Sequence, residues 1–333
     1  MMMKIGVIGG GAWGTALSML LADKGHVVTL WMYEKDLAEE TARTRENRVY
    51  LPGFTLSPSI TITSSLETAV GGRSYLLSVV PSHTVRAVAG QYAPYLEKDV
   101  AIISASKGIE IDTLKPLSEI FKDVLPAPFH DRLCFLSGPS FAQEVARKMP
   151  TAIALASSNA VLAKKVQGIL SNDYFRVYTN DDIIGIQLAG ALKNVVAIAA
   201  GVLEGMGFGY NTMAALLTRG LAEIARLGVA MGGKPATFAG LAGMGDLVLT
   251  CTGGLSRNRT LGTRLGRGEK LHAIMKETKT VAEGVKTAKA AWMLSRKYKI
   301  DMPIVDEVYQ LLYEGKDPKL TLKDLMSREL KRE

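Results

Sequence analysis

Cysteine and histidine are scarce in this chain: two cysteines, Cys134 and Cys251, and four histidines in 333 residues. Two thiols fall far short of a disulfide framework, and the histidines show no metal-ligand spacing, which sets aside stapled secreted scaffolds and metal centres. The expectation is no bound metal and a reducing, cytoplasmic setting. A basic stripe with interleaved aromatics is also missing. Aromatics are 7% of the chain, and much of the net charge of +8 sits towards the C-terminal end among acidic residues. That pattern fits a solvated basic face attracting small anions rather than a nucleic-acid surface.

Uninterrupted hydrophobic runs are few. The apolar stretch 1–22 has Lys4 as its sole cation and Gly9-Gly10-Gly11 at its middle, which breaks the continuous core a signal peptide needs. The stretch 183–203 has membrane-spanning length and a single charge, Lys193, but Gln187, Asn194 and several glycines point to a buried helix, with no membrane span expected. A lone ammonium in such a helix costs free energy unless it is paired or gives up its proton.

What is present is ample apolar material. Hydrophobic residues make up 47% and charged residues 22%, and the length exceeds that of one ordinary core, so two domains are expected. Short β-rich runs alternate with helical patterns at 4–8, 27–32, 61–63, 75–80, 100–105 and 133–136, with 151–156 and 175–178 extending the set. This predicts an α/β fold, a Rossmann-like doubly wound, mostly parallel sheet with ligand-facing loops at its carboxyl ends. After Asp181-Asp182 the pattern turns to long helical stretches rich in Ala, Leu and Gly. The expected division is therefore a dinucleotide-binding domain at 1–180 and an all-helical substrate domain at 181–333, with the glycine-rich patch 201–209 read as a break between two helices.

Gly9-Gly10-Gly11-Ala12-Trp13-Gly14 fits G-x-G-x-x-G between a strand and a helix expected from Thr15. Gly9 allows the tight turn, Gly11 lets the backbone approach a pyrophosphate, and Gly14 packs helix on strand. Amide groups at the helix start then face the phosphates. At the end of the second strand, Glu34 lies 20 residues past Gly14, where an acid holds the ribose hydroxyls of NAD. Lys35, Arg43, Arg45 and Arg48 offer cations for the extra phosphate of NADP, Tyr33 could stack on adenine, and surface decoration is open for each.

Lys107 stands just beyond a buried strand, in Ser106-Lys107-Gly108. Alone it reads as a loop cation; two lysines converging on one pocket would lower each other's pKa and attract an anion. Ser137-Gly138-Pro139-Ser140-Phe141-Ala142-Gln143 pairs Ser140 with Gln143 as a capping box, and capping or ligand contact explains it equally well. Asp246 and Thr250 share a helix face at spacing i, i+4. Ser256-Arg257-Asn258-Arg259 offers a fork of donors suited to phosphate, with a basic helix start on the surface as its alternative. Cys251, with no histidine or metal pattern around it, reads as a small packed residue.

The ordered set resembles NAD(P)-dependent glycerol-3-phosphate dehydrogenase of the bacterial type, from Ile5 to about Tyr313: the glycine turn, Val-Val-Pro-Ser-His (79–83), Ser-Lys-Gly (106–108), Ser-Gly-Pro-Ser-Phe-Ala (137–142), Leu-Lys-Asn-Val (192–195), Gly-Asp-Leu-Val-Leu-Thr-Cys-Thr (245–252) and Ser-Arg-Asn-Arg (256–259). The resemblance implies reversible reduction of dihydroxyacetone phosphate to sn-glycerol 3-phosphate with NADP or NAD, supplying phospholipid synthesis. Lys193 would be the proton donor and acceptor, with Lys107 and Asp246 completing the catalytic set. Lys107, Gly138, Ser140, Lys193, Asn194, Asp246, Thr250, Ser256, Arg257 and Asn258 would surround the substrate. Gly9, Gly11, Ala12, Trp13 and Gly14, with Tyr33, Tyr50, Lys107, Ala142, Arg257, Val281 and Glu283, would hold the cofactor. Family members often carry a basic residue or histidine where this chain has Tyr33, which leaves the NADP preference open. A homodimer through the helical half is expected. Two rivals stand beside this reading: a related β-hydroxyacid dehydrogenase or ketoacid reductase, which the Ser256-Arg257-Asn258 loop argues against, and a dinucleotide-sensing regulator without chemistry, which Lys107, Lys193 and Asp246 argue against.

Overall fold

In the computed structural model, residues 2–277, 282–330 and 332 are described. Val281 lies outside them. The chain divides into two compact units, one formed by Met1–Lys107 with Lys115–Gln187, the other by Gly108–Leu114 with Leu188–Glu333. The division thus follows Gln187 rather than residue 180, and a short loop from the first half belongs to the second unit.

The first unit is built on eight strands: β1 (Lys4–Ile8), β2 (Val27–Trp31), β3 (Ile60–Thr63), β4 (Tyr75–Ser78), β5 (Ala101–Ser104), β6 (Leu133–Ser137), β7 (Thr151–Ala156) and β8 (Phe175–Asn180). They form one sheet in the order β3-β2-β1-β4-β5-β6-β7-β8, parallel except where β6 meets β7. The first six strands have the order of a doubly wound dinucleotide-binding sheet, whose ligand crevice opens at the reversal between β1 and β4. The expected fold class is the observed one. Strands bury both faces, and alternate side chains enter different cores. Ile5, Val7, Leu30, Leu77, Ile103 and Cys134 lie in one cluster with Leu17, Leu20 and Leu21 of the Ala12–Asp23 helix. Ile8, Trp31, Leu76, Ile102 and Phe135 lie in the other, with Val88 and Phe121.

Among its described residues the second unit is helical, with Tyr210–Ala230, Asp246–Thr252, Arg257–Gly266 and Glu283–Tyr298 among its helices. The apolar run expected at 183–203 is the Ile183–Gly205 helix, long and apolar enough to cross a membrane, but 83% of its most apolar window is buried inside the protein. It is packed as a core helix.

The 201–209 patch departs from expectation. Gly201 and Gly205 are inside the helix, and the break comes only at 206–209, where Gly207 takes φ +82° and the amide of Phe208 donates to the Leu203 carbonyl. The glycines serve packing instead. A β-carbon at Gly201 would collide with the Arg259 carbonyl and one at Gly205 with that of Thr263. The facing glycines mirror this: Gly262 lies against the Ile198 carbonyl and Gly266 against that of Val202. Two helices therefore touch backbone to backbone, a contact glycine alone permits.

Gly201→Ala is expected to destabilise the protein by about 1–3 kcal/mol through overpacking. Gly168→Ala, inside the Ala160–Leu170 helix with nothing within 4 Å of the added carbon, should stabilise it by about 0.5–1 kcal/mol. Urea unfolding followed by circular dichroism reads both; equal effects would remove the backbone contact as the explanation.

Candidate functional site

The glycine turn follows β1 directly. Gly9 has φ +119°, and a β-carbon there would sit 2.8 Å from the Val79 carbonyl group. Gly14 is pressed onto the Gly9 carbonyl, whereas Gly11 has nothing within 4 Å of where a side chain would start. Gly11 caps the Ala12–Asp23 helix in extended conformation, so the amides of Ala12, Trp13 and Gly14 precede the first intrahelical bond, from Thr15 to Gly11. An open backbone above a helix N-terminus fits a pyrophosphate. The helix starts three residues before the expected Thr15, because the turn itself is compatible with helical entry. Trp13 packs between Phe175, 6.5 Å away, and the small cluster of Ala16, Leu51 and Ala146, where Ala142 also lies.

A residue that sequence reasoning missed holds this turn. The side chain of Asn47 is fully buried; its Nδ2 donates to the Gly10 carbonyl at 2.8 Å and to Thr15 Oγ1 at 2.9 Å, and its Oδ1 accepts from the Tyr50 amide at 3.2 Å. Set in Thr-Arg-Glu-Asn-Arg, it carries no sequence signal that separates it from surface polar residues. Tyr50 donates its hydroxyl to Glu34 Oε1 at 3.1 Å. Tyr33 is 79% exposed and stands edge-on to Trp31.

On the same unit, Lys107 Nζ donates to the Gly138 carbonyl at 3.2 Å, and so does Ser140 Oγ at 3.2 Å. Gly138 has φ +151° and lies against the Ile153 backbone. The structure thus brings Lys107, Gly138 and Ser140 together. The expected capping box is absent: the N-cap of the Ala142–Ala146 helix is Phe141, one residue beyond Ser140, so the serine turns to Gly138 instead.

The second unit holds the buried charge. Lys193 Nζ is ion-paired and hydrogen-bonded with Asp246 Oδ1 and donates to Thr250 Oγ1 at 2.7 Å, all three residues being buried. Thr250 commits its own proton to the Asp246 carbonyl at 2.6 Å, which leaves its oxygen to accept from the ammonium. A π-helical turn, Leu241–Gly245, runs directly into Asp246–Thr252 and sets the angle of Asp246. Burial opposes the charge on Lys193, and the carboxylate favours it. Asn194, beside it in sequence, is buried, and its side chain makes no hydrogen bond among the described residues.

Ser256 caps the Arg257–Gly266 helix by accepting from the Arg259 amide at 3.2 Å. Asn258 Oδ1 accepts from the Gly284 amide at 3.0 Å, which ties this helix to the start of Glu283–Tyr298, where Glu283 sits in the first turn. Arg259 pairs with Glu204 at 2.6 Å and is structural, not part of a donor fork. Arg257 is exposed, with no ionic or hydrogen-bonding partner among the described residues. Cys251 is packed as expected; burial pushes its thiol up to about 12 and that of Cys134 to about 11, so neither is a thiolate nucleophile at neutral pH. Among the described residues no cluster of three metal-ligating side chains occurs.

Residues 4–163 match the family model for the NAD-dependent glycerol-3-phosphate dehydrogenase N-terminus, and residues 182–323 that for its C-terminus. A protein of Citrifermentans bemidjiense named glycerol-3-phosphate dehydrogenase [NAD(P)+] is 54% identical over 99% of this chain and 98% of its own length. The crystal structure of glycerol-3-phosphate dehydrogenase from Coxiella burnetii superposes with a TM-score of 0.93 at 37% identity, covering 98% of this chain and 99% of that one. A ketopantoate reductase of the PanE/ApbA family from Ralstonia eutropha shares the fold at a TM-score of 0.60 and 16% identity, over 96% of this chain and 100% of its own.

Because Asp246 is buried with Lys193 as its counter-ion, Lys193→Ala should cost about 3–5 kcal/mol, while joint replacement by Lys193→Met and Asp246→Leu should recover most of the loss. Denaturant unfolding decides. A single variant as stable as the parent would mean that the pair is not what keeps Asp246 in place.

Proposed function

The chain belongs to the NAD-dependent glycerol-3-phosphate dehydrogenase family, and from that premise we propose that it reduces dihydroxyacetone phosphate reversibly to sn-glycerol 3-phosphate. The observation that carries the chemistry is the buried Lys193–Asp246–Thr250 cluster, a proton donor with two fixed acceptors in an otherwise apolar helix. A nicotinamide dinucleotide supplies the reducing equivalent. The glycine turn, Ala12, Trp13, Tyr50, Ala142 and the helix amides of the first unit would hold it, with Tyr33, Val281 and Glu283 completing the site.

Lys193 as an ammonium would polarise the substrate carbonyl oxygen and give it a proton; in the oxidative direction the neutral amine would take the hydroxyl proton. Asp246 steadies the ammonium, and Thr250 fixes its direction. Asn194 brings an uncommitted amide to orient the substrate. Arg257 and the Nδ2 group of Asn258 would grip the phosphate near the capped start of their helix, with Ser256 shaping that start, and this remote grip would orient the carbonyl. Lys107, Gly138 and Ser140 would meet substrate and cofactor from the first unit. The unit that carries the glycine turn then serves as the dinucleotide-binding domain and the helical unit as the substrate domain. The product suits phospholipid precursor supply in the cytoplasm, and the working form is a homodimer joined through the helical unit.

The rival ketoacid reductase reading is disfavoured by the comparisons: the ketopantoate reductase is 16% identical to this chain, against 54% for the glycerol-3-phosphate dehydrogenase of Citrifermentans bemidjiense. A sensing role without chemistry leaves the burial of Lys193 unexplained.

Oxidation of NADH and NADPH should occur with dihydroxyacetone phosphate and not with dihydroxyacetone; equal rates would reject the phosphate requirement. Lys193→Arg keeps the pair with Asp246 but cannot release its proton, so kcat should fall by roughly a hundred-fold or more while cofactor still binds. Appreciable turnover in that folded variant would rule out proton transfer by Lys193. Arg257→Ala should raise the Michaelis constant for dihydroxyacetone phosphate by about ten-fold or more, the cost of one charge-assisted contact; an unchanged constant would dismiss the clamp.

A further inference from the structure

The segment 45–56 forms a closed strap beside the glycine turn. Its base is sealed by Arg45, whose amino acid backbone takes φ 57° and whose guanidinium donates to the carbonyls of Leu56, Ser57 and Ile60. Glu46 pairs with Thr55 across the strap and accepts from the Gly53 amide at 2.9 Å. Two anchors then bind the strap to the Ala12–Asp23 helix: the buried Asn47 amide on Gly10 and Thr15, and the buried Leu51 side chain beside Ala16 and Trp13. Tyr50 sits between these anchors, its amide held by Asn47 Oδ1 and its hydroxyl on Glu34. Both its amide and its hydroxyl are thus engaged, one on the strap and one at the end of the second strand.

Glu34 lies three residues past the end of β2, the strand that pairs with β1, and caps the Lys35–Thr44 helix. An acid at the end of this strand accepts from the two ribose hydroxyls of an adenosine and repels a phosphate placed there. Burial and the Glu34 carboxylate both push the Tyr50 phenol up, so it remains a donor at neutral pH. Of the four cations nearby, Arg43 is exposed, Lys35 and Arg48 stand in exposed ion pairs, and Arg45 alone is committed to backbone carbonyls. Lys35 faces Glu39 at 3.8 Å, and Arg48 lies 3.2 Å from Glu46 and 3.8 Å from Glu40.

We propose that Asn47, Tyr50 and Glu34 form one discrimination device: Asn47 registers the strap on the glycine turn, Tyr50 holds the Glu34 carboxylate, and the carboxylate makes this chain select NADH over NADPH. Asn47 is a positioning residue in this scheme and Glu34 the discriminating one. The inference rests on the dinucleotide reading of the glycine turn and sharpens it to one cofactor class.

The test is fluorescence titration of the full chain with NADH and with NADPH, in the absence of a second substrate, paired with kcat/KM for each cofactor. The parent should bind NADH about ten-fold or more tightly than NADPH, the scale of one hydrogen bond to a charged group. Glu34→Gln, which removes charge at constant shape, should reduce that ratio by about ten-fold. Tyr50→Phe and Asn47→Ala should each reduce it by a smaller factor. Equal or tighter binding of NADPH to the parent overturns the proposal, as does an unchanged ratio in Glu34→Gln. A ratio unchanged in Asn47→Ala, with both affinities lowered alike, assigns Asn47 a purely structural role and removes it from the device. Should Asn47→Ala not fold, Tyr50→Phe carries the same test at a partly exposed side chain. Binding preference for NADH without turnover of dihydroxyacetone phosphate would support the device and reject the enzymatic reading; turnover with NADPH preferred would do the reverse.

Discussion

The ion pair between Lys193 and Asp246 is the constraint around which the helical unit is arranged. An ammonium in the middle of an apolar helix needs a carboxylate, and the carboxylate must come from another helix at a fixed height. The π-helical turn at Leu241–Gly245, the short helix that begins at Asp246, and the Thr250 hydroxyl one turn later all serve that meeting. A purely apolar core would fill the same volume at lower electrostatic cost. That the chain keeps charge here is the strongest physical reason for reading the unit as reactive.

Much of this was legible in the sequence, and the reasons differ from place to place. The strands were visible because both faces of the sheet are covered, which forces near-continuous apolar runs such as Ala101–Ser104 and Leu133–Ser137. Lys193 stood out by contrast with its neighbours, and Asp246 with Thr250 by helical spacing. Asn47 did not, because a polar residue among charged ones is indistinguishable from surface until its partners are known. The capping box at Ser140 failed by one residue, since the helix begins a position later than the pattern assumes. Gly201 and Gly205 were misplaced for a related reason: glycine marks either a break or a close approach, and the partner helix that decides between them lies some sixty residues away, at Arg257–Gly266.

The first unit shows a different economy. Its glycine turn is open where a ligand's phosphates would lie, and is braced from behind by a side-chain amide rather than by its own backbone. Bracing of that kind keeps a glycine-rich segment in one conformation without filling the space in front of it. It also links the turn to Tyr50 and Glu34, so that the glycine turn and the segment after the second strand share one frame.

The backbone contact between Ile183–Gly205 and Arg257–Gly266 bears on how that unit moves. Helices separated by a layer of side chains slide past each other by repacking rotamers. Here there is no such layer, and a slip of even one residue would drive a β-carbon of one helix into a carbonyl of the other. The two helices are in effect one solid piece that carries Lys193 and Arg257 together, so any motion that admits or releases a ligand must be taken up elsewhere in the chain.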